Sequence, residues 1–344
     1  MRQTAVVIAP GRGTYNAAEL GYLKRHHGDS ALFQAFDTCR IAQGQEAITA
    51  LDGCLRYLAA VHTRGDNASP LIYACGLSDF GLIDQDRFEI IGVTGNSMGW
   101  YTALACAGAL DPIAGFEVTN TMGSLMQKHM IGGQIIYPFV NDDWREVPGQ
   151  RDALLAEVAS IARRENHILE LSINLGGMLV LAGNATGLAA FEHAVPRLQG
   201  RYPMRLANHA GFHSHLQNPI SKLGFETIHQ SLFEQPKIPL IDGRGGFWHP
   251  KASDLRALYQ YTLGHQVVQA YDFTAAISTA ARDLMPDVFI ILGPGTTLGG
   301  VTAQSLIQCR WRNWSSKDDF QTSQKVISLG IDQQRKICTR KNAH

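Results

Sequence analysis

Cysteine is sparse in this sequence, and no stretch stays apolar for long. The six cysteines among 344 residues include no CxxC pair, which argues against a disulfide framework and against a zinc ribbon. The apolar run near the N-terminus is only about five residues long, and no segment approaches the roughly 20 residues that cross a bilayer. We therefore expect reduced thiols and a cytoplasmic protein with neither a secretory leader nor a membrane-spanning segment.

Net charge is absent as well. Thirty Lys and Arg residues balance thirty Asp and Glu residues, and no basic block is interleaved with aromatics in the way that follows a phosphate backbone. We therefore expect no nucleic-acid partner and no membrane partner. With 45% hydrophobic and 17% charged residues, the chain can bury a large core, and its length favours a large domain that carries a smaller one.

Short β-branched runs alternate with helical patterns along much of the chain. The runs at 4–9, 88–94 and 288–292 predict buried strands, and the spacing at 31–39 and 45–62 predicts helices. Strands that alternate with helices predict a largely parallel sheet.

A middle segment, residues 125–204, has a different pattern. Its strand and helix signals follow the order β-α-β-β-α-β, which is typical of a ferredoxin-like unit. We therefore predict an α/β fold with a large α/β-hydrolase-like domain and a small ferredoxin-like α+β domain inserted into it. The predicted bounds are 1–124 and 205–310 for the large domain, 125–204 for the small one, and 311–344 for a loosely packed polar C-terminal tail.

One motif points to nucleophilic chemistry. Gly95-Asn96-Ser97-Met98-Gly99 matches GxSxG and lies between a β-branched run and an Ala-rich helical stretch. Small neighbours allow the serine to occupy a strained strand-to-helix turn, so this context favours a nucleophile over an ordinary Gly-rich turn. The backbone N–H of Met98, at the start of the helix, would then face a developing oxyanion.

A serine nucleophile needs a base within hydrogen-bond reach. The cluster of His209, His213 and His215 in ANHAGFHSHLQNP is the strongest candidate. Its spacing also resembles a metal site, but no carboxylate or thiolate lies nearby in the sequence to complete a ligand shell. We therefore expect no metal, and we expect the base of Ser97 to come from this cluster.

Four segments in the same order resemble the malonyl-CoA:acyl-carrier-protein transacylase family, which includes the acyltransferase domains of polyketide synthases. PGRGTY is similar to PGQGSQ, GNSMGWYTALACAGALD to GHSxGEYxALxxAGxxx, GFHSHL to AFHSxxM, and LGPGTTLGG to GPGxxLxxL. The resemblance covers about residues 4–305. It implies a serine-dependent acyltransferase that requires no cofactor.

The resemblance also implies roles for individual residues. Ser97 would accept the acyl group, and His213, the histidine of FHS, would be the general base. The backbone carbonyl of Gln266, in a segment similar to RQLYNPVQW, would orient the imidazole; a helix-end glutamine without this role is the alternative. The backbone amides of Met98 and Arg12 would form the oxyanion hole.

The chain departs from the family pattern in the substrate pocket. Relatives that take carboxyacyl groups have an arginine in a segment like RGxxMQ, where this sequence has Met122. Burying a carboxylate without a cation costs several kcal/mol, whereas Met offers a flexible apolar surface. We therefore predict a non-carboxylated acyl group, with a true malonyl transacylase as an alternative. Arg12 replaces a glutamine, and its side chain could contact the phosphates or carboxylate of the donor.

Three further residues are predicted to line the pocket. Asn96 replaces the histidine before the nucleophile, and Trp100 replaces the glutamate after the elbow. Asn174, in SINLGGMLVLAG, falls where the family's small domain places an asparagine that lines the acyl tunnel. Helix packing is the alternative for Trp100, and a strand-end turn is the alternative for Asn174.

The predicted function is transfer of an acyl group from acyl-CoA or acyl-ACP to the phosphopantetheine thiol of a holo acyl carrier protein, through an acyl ester on Ser97. An acyl hydrolase that clears carrier proteins of a polyketide or fatty-acid pathway is an alternative, because water could resolve the same ester. A non-catalytic scaffold that binds carrier protein is a third possibility, which retention of both Ser97 and His213 disfavours.

Overall fold

A computed structural model describes residues 2–340, which form two β-sheets surrounded by helices. The strands are Gln3–Ala9 (β1), Phe88–Gly95 (β2), Gly133–Pro138 (β3), Leu169–Leu175 (β4), Met178–Gly183 (β5), Met204–Arg205 (β6), Leu240–Ile241 (β7), Phe247–Trp248 (β8), Tyr271–Asp272 (β9), Val288–Ile291 (β10) and Val326–Ser328 (β11).

The α-helices are distributed between these strands along the whole chain. They are Tyr22–His27 (α1), Ala31–Ile41 (α2), Ile48–Asp52 (α3), Ala59–His62 (α4), Gly65–Leu82 (α5), Gly99–Cys106 (α6), Pro112–Lys128 (α7), Gln150–Ala162 (α8), Ala185–Ala194 (α9), Asn218–Thr227 (α10), Leu255–Gln260 (α11), Gln266–Val268 (α12), Phe273–Thr279 (α13), Leu298–Gln308 (α14), Lys317–Ser323 (α15) and Asp332–Cys338 (α16). Two π-helical segments, Tyr261–His265 and Ala280–Leu284, extend α11 and α13.

The larger sheet has six strands in the spatial order β11-β10-β1-β2-β7-β8. Every neighbouring pair is parallel except β7 and β8. The central strand β1 is β-branched because a parallel strand is covered on both faces; Val6, Val7 and Ile8 are all fully buried. The predicted α/β class and parallel sheet are confirmed.

The smaller sheet has five strands in the order β6-β3-β5-β4-β9. Its first four strands and the helices α8 and α9 follow the predicted order β-α-β-β-α-β. The fifth strand, β9, pairs parallel with β4 and comes from outside residues 125–204. A boundary at 204 therefore omits one strand of this sheet, and the hydrolase-like and ferredoxin-like descriptions stay predictions.

The opposite faces of β1 belong to different cores. Val7 packs with the helices of the N-terminal half, whereas Val6 and Ile8 pack in a second cluster that includes residues of the smaller sheet such as Ile135 and Leu181. The larger sheet is therefore covered on both faces, and the second cluster combines side chains of α13 and α14, such as Ala276 and Leu306, with those of the smaller sheet. The carboxyl ends of β1 and β2 meet at one edge, where Ala9 pairs with Gly95, and ligands of such sheets bind at this edge.

The predicted domain bounds need two corrections. The helix α7 runs unbroken from Pro112 to Lys128, so the boundary at 124 falls inside a helix. The tail from residue 311 is not loosely packed up to residue 340, because β11 pairs with β10 and both Trp311 and Trp314 are buried. Tail residues 341–344 lie outside the described residues. The polar composition of the tail concealed the few apolar side chains that anchor it.

The region before α5 also differs from prediction. The helix expected at 45–62 is two short helices, α3 and α4, because α3 ends at Gly53 and the chain is extended at Leu58. Among residues 2–340, no helix combines the length and apolar character that a bilayer crossing requires.

Candidate active site

Ser97 lies on the sharp turn that joins β2 to α6. Its φ angle is 55°, a left-handed conformation that costs a non-glycine residue free energy and is frequent at active sites. The turn needs glycine on both sides: a Cβ atom on Gly95 would lie 2.3 Å from the Gly99 carbonyl, and one on Gly99 would lie 2.2 Å from the Ala9 oxygen. The motif therefore lifts the serine hydroxyl to the carboxyl edge of the larger sheet.

The Ser97 hydroxyl meets His213. Ser97 Oγ is 2.7 Å from His213 Nε2, and His213 Nδ1 is 2.6 Å from the Gln266 carbonyl oxygen. Because a carbonyl only accepts, Nδ1 carries the proton, and Nε2 is free to accept the serine proton. Burial lowers the pKa of His213 to about 4, although the hydrogen bond to Gln266 acts in the opposite direction. The imidazole is therefore neutral at pH 7, as a general base must be.

Gln266 contacts both members of this pair, because its side chain bonds the serine while its carbonyl bonds the histidine. Gln266 Nε2 donates to the Ser97 carbonyl at 3.1 Å, and Tyr101 Oη donates to Gln266 Oε1 at 3.3 Å. Sequence reasoning missed Tyr101, although it follows the elbow within the same quoted motif. The structure thus brings Ser97, His213 and Gln266 together.

The three clustered histidines point to different partners. His209 Nδ1 is 2.9 Å from Gln134 Oε1, and His215 Nδ1 is 2.5 Å from Glu170 Oε1, while His213 faces Ser97. Within residues 2–340, no group of three or more His, Cys, Asp or Glu side chains converges in a way that could hold a metal. The ligand-like spacing in the sequence is therefore not a ligand-like arrangement in space.

Ser97 borders two cavities. The smaller one extends towards the helical layer and is lined by side chains from α5, α6, α7 and α12, among them Ser69, Met126 and Val267. The larger one, about 430 Å³, lies between the two sheets and is lined mainly by apolar side chains. Ser97, Arg12 and Phe212 line both. An acyl group on Ser97 could thus enter one cavity while a thiol approaches through the other.

The amides proposed for the oxyanion hole belong to Met98 and Arg12. Met98 immediately precedes α6, where helix N–H groups and the helix dipole favour negative charge. Neither the Met98 amide nor the Arg12 amide donates a hydrogen bond to another residue in the described chain. Both amides are therefore available to a ligand oxygen.

The Arg12 side chain is an unusual feature of the site. Its Nη2 donates to the carbonyl oxygens of Thr63 and Asn208, each at 2.8 Å, and the guanidinium lies 5.3 Å from the centre of the Phe212 ring. Burial lowers its pKa to about 10, with Asp66 acting in the opposite direction. A cation thus lies beside Ser97, held by neutral partners.

Three of the predicted pocket residues, Met122, Trp100 and Asn174, make their contacts away from the two cavities. Met122 is fully buried, and its Sδ faces Gly224 of α10. Trp100 is also fully buried and donates to Thr262 Oγ1 at 3.0 Å. None of the three lines either cavity.

Element geometry explains where these side chains lie. Asn174 Nδ2 donates to Asp272 Oδ1 at 3.0 Å, because alternate residues of β4 point to opposite faces; Ile173 and Leu175 take the cavity side. On α7 the cavity side belongs to Gly123 and Met126, so Met122 turns into the core. Asn96, by contrast, does line the larger cavity, and its Oδ1 is buried without a partner.

Known proteins resemble this chain in sequence and more completely in fold. No family model matches it. The malonyl CoA-acyl carrier protein transacylase of Bacillus subtilis (strain 168) is 22% identical over 222 residues, which cover 63% of this chain and 66% of that protein. The enzyme of that name from Escherichia coli (strain K12) is 22% identical over 211 residues, covering 61% and 64%. The aligned region therefore spans slightly less than two thirds of these relatives.

Solved structures extend the likeness to nearly the whole chain. A malonyl-CoA:acyl carrier protein transacylase from Xanthomonas oryzae pv. oryzae superposes with a TM-score of 0.74 at 17% identity, covering 99% of this chain and 100% of that one. A type II PKS acyl-carrier protein in complex with its malonyl-transacylase gives a TM-score of 0.71 at 17% identity, with the same coverage. The chain is thus homologous to the malonyl CoA-acyl carrier protein transacylases, which are acyltransferases, and it has their fold.

Proposed function

We propose that this chain is an acyltransferase that moves an acyl group from acyl-CoA or acyl-ACP to the phosphopantetheine thiol of an acyl carrier protein, by way of an ester on Ser97. The observation that carries the proposal is the 2.7 Å contact between Ser97 Oγ and neutral His213 at the junction of two cavities. The homology to transacylases supports the same activity. An acyl carrier protein is the partner named in the complex described above.

The first half-reaction forms the acyl ester. Ser97 Oγ attacks the thioester carbonyl while His213 Nε2 takes its proton, and the free amides of Met98 and Arg12 bind the resulting oxyanion. The carbon–sulfur bond then breaks, and the leaving thiolate takes the proton from His213. His213 is neutral before and after this step, which agrees with its lowered pKa.

The second half-reaction reverses these roles with a new thiol. His213 accepts the proton of the carrier protein's phosphopantetheine thiol, and the thiolate attacks the Ser97 ester. Collapse of the tetrahedral intermediate returns the proton to Ser97 Oγ and releases the new thioester. The larger cavity has apolar walls, such as Ile136 and Val180, which favour the phosphopantetheine arm of the carrier protein over bulk water. Transfer to the thiol of this arm is therefore preferred to the hydrolase alternative.

The finer prediction, that the acyl group is non-carboxylated, rested on Met122. This side chain packs in the core and is not among the residues that line the two cavities. The non-carboxylated acyl group therefore stays a prediction, with a malonyl group as the alternative.

Intact-mass spectrometry tests the proposal. Wild-type protein incubated with a panel of acyl-CoAs should gain the mass of one acyl group, and holo acyl carrier protein should then remove it and acquire the same mass. Ser97→Ala should gain no mass while keeping the wild-type circular dichroism spectrum. Ser160→Ala, in α8 and outside the lining of both cavities, is the matched serine control and should load normally.

Two results would contradict the proposal. Loading of Ser97→Ala at the wild-type level would exclude Ser97 as the acyl acceptor. Loss of the acyl group in buffer as fast as with carrier protein would instead identify a hydrolase.

A further inference from the structure

Two main-chain carbonyls of the nucleophile turn are held by side chains from elsewhere in the fold. The carbonyl of Ser97 accepts from Gln266 Nε2 at 3.1 Å, and the carbonyl of Gly95 accepts from Tyr271 Oη at 2.5 Å. These carbonyls lie on either side of Asn96, in the turn that gives Ser97 its positive φ angle of 55°. Tyr271 therefore anchors the strained turn where it leaves β2.

The ring of Tyr271 also packs against the base. Its centroid lies 5.3 Å from the centroid of the His213 imidazole, at an interplanar angle of 51°, which is within the contact range of aromatic pairs. Tyr271 is almost fully buried and lines neither cavity. One side chain thus contacts the turn of the nucleophile with its hydroxyl and the base with its ring.

Contacts from both sheets fix this ring. Tyr271 belongs to β9 and pairs with Ile173 of β4 in the smaller sheet. On the other side it packs against Gly243, just after β7 of the larger sheet, where an added Cβ atom would lie 2.4 Å from the ring. The Gly243 carbonyl accepts from the Asp272 amide at 2.6 Å. The ring consequently has little freedom to turn away from His213.

Resting on the function proposed above, we infer that Tyr271 is a positioning residue of the acyl transfer: its hydroxyl holds the turn that carries Ser97, and its ring keeps water from the imidazole of His213. A base that is shielded in this way stays neutral near pH 7 and stays directed at the serine hydroxyl. Because Tyr271 lines neither cavity, it acts through Ser97 and His213 and not on the substrate.

Few charged groups face the His213 imidazole, whose two nitrogens are already bonded. Among residues 2–340, Arg12 is the one charged side chain that lines the smaller cavity beside it. Burial and the charge of Asp242, which is paired with Arg244, raise the pKa of Tyr271 well above its usual value, so the tyrosine hydroxyl stays neutral. The pKa of His213, about 4, is therefore lowered by burial and not by a neighbouring cation.

Tyr271 could instead be an ordinary core side chain, which would influence stability but not the protonation of His213. A smaller apolar side chain at this position would leave the Gly95 carbonyl without its donor beside a new cavity, and water enters a cavity that offers polar partners. That water would solvate the imidazolium and raise the pKa of His213. The pH profile of acylation is therefore the informative measurement.

The experiment is single-turnover acylation of Ser97 from pH 3.5 to 8, with an acyl-CoA that loads the wild-type protein. Tyr271→Leu, which removes ring and hydroxyl, should raise the midpoint of the profile by at least about one pH unit. Tyr271→Phe, which removes the hydroxyl alone, should keep the wild-type midpoint and slow acylation about tenfold.

Tyr137→Leu is the matched control. Tyr137 is also a fully buried tyrosine of the smaller sheet, its hydroxyl also donates to a main-chain carbonyl, that of Pro196, and it lines neither cavity. This variant should keep both the midpoint and the rate. An unchanged midpoint in Tyr271→Leu, or an equal shift in Tyr137→Leu, would overturn the role of the ring. Acylation of Tyr271→Phe at the wild-type rate would overturn the role of the hydroxyl.

A second measurement depends neither on activity nor on the folding of Tyr271→Leu. NMR titration of isotope-labelled histidine, with His213 assigned by comparison with His213→Asn, should give a midpoint near 4 in the wild-type protein and in Tyr271→Phe. A midpoint near 6.5, the ordinary value of a solvated histidine, would refute the shielding. Failure of the proposed function would look different, because this titration would be unchanged while no acyl group appeared on Ser97.

Discussion

Strain at Ser97 and His213 is held by hydrogen bonds around them. Both residues have positive φ angles, 55° and 53°, a conformation that costs about 1–3 kcal/mol for residues other than glycine. A short chain fixes the histidine loop: Gln134 Nε2 donates to Ser172 Oγ at 2.6 Å, and Ser172 Oγ donates to the Phe212 carbonyl at 2.8 Å. Hydrogen bonds outside the Ser97–His213 contact therefore hold this pair in place.

The neutral state of His213 predicts the pH dependence of ester formation. Because burial lowers its pKa to about 4, the acylation rate should be flat through neutrality and fall tenfold per pH unit only below about pH 4. Rapid-quench measurement of single-turnover acylation from pH 3.5 to 8 tests this. His215→Ala should keep the same profile, and His213→Ala should lose most of the rate, about 100-fold or more. A midpoint near 6.5 would show a solvated imidazole and contradict the structure.

At the scale of elements, the site depends on how closely α6 approaches β1. Gly99 opens the helix directly against the Ala9 carbonyl, and the Arg12 amide follows β1 on the loop that leaves the sheet. The distance between the two amides proposed for the oxyanion hole is therefore set by this contact. A side chain here would separate the elements that carry them.

Gly99→Ala should destabilise the protein and slow acylation together. The added Cβ would lie 2.2 Å from the Ala9 oxygen, so the elements must move apart, at a cost of about 1–3 kcal/mol. Urea unfolding and single-turnover loading measure the two effects. Gly81→Ala, also in a helix but with no atom within 4 Å of the new Cβ, should instead raise stability by about 0.5–1 kcal/mol. Equal behaviour of the two variants would show that the close approach does not matter.

At the scale of the whole molecule, a buried charge network attaches the C-terminal segment to the core. Arg335 of α16 donates to Asp79 of α5 at 2.7 Å. The same carboxylate accepts from Tyr22 at 2.7 Å and from the Gly293 amide, on the loop after β10, at 2.8 Å. The tail thus packs against α1 and α5, and it shares Asp79 with the loop after β10.

Arg335→Met should lower the free energy of unfolding by about 3–5 kcal/mol, because it leaves Asp79 buried without its arginine. Urea unfolding followed by tryptophan fluorescence measures this loss. The control Arg310→Met, at an exposed arginine before the tail, should change stability by less than about 0.5 kcal/mol. A loss below 1 kcal/mol for Arg335→Met would indicate that the tail is not part of the cooperative unit.

The sequence by itself determined the features that rest on local pattern. The β-branched runs that became β1, β2 and β10, the glycines of the elbow, and the strand and helix order of the middle segment all follow from neighbours a few residues apart. The resemblance to the transacylase family also pointed to His213 and to the carbonyl of Gln266, which the fold brings into contact.

Only the tertiary structure decided which way individual side chains point. Strands of two or three residues, such as β9 and β11, are too short to show a period, and they form because a sheet edge is already present. Met122 and Met126 occupy one helix, yet only Met126 reaches the cavity, because packing against α10 fixes the rotation of α7. Arg12 becomes a cation beside Ser97 because carbonyls of two distant loops, at Thr63 and Asn208, hold it there. Such contacts between remote segments leave no signal in local sequence.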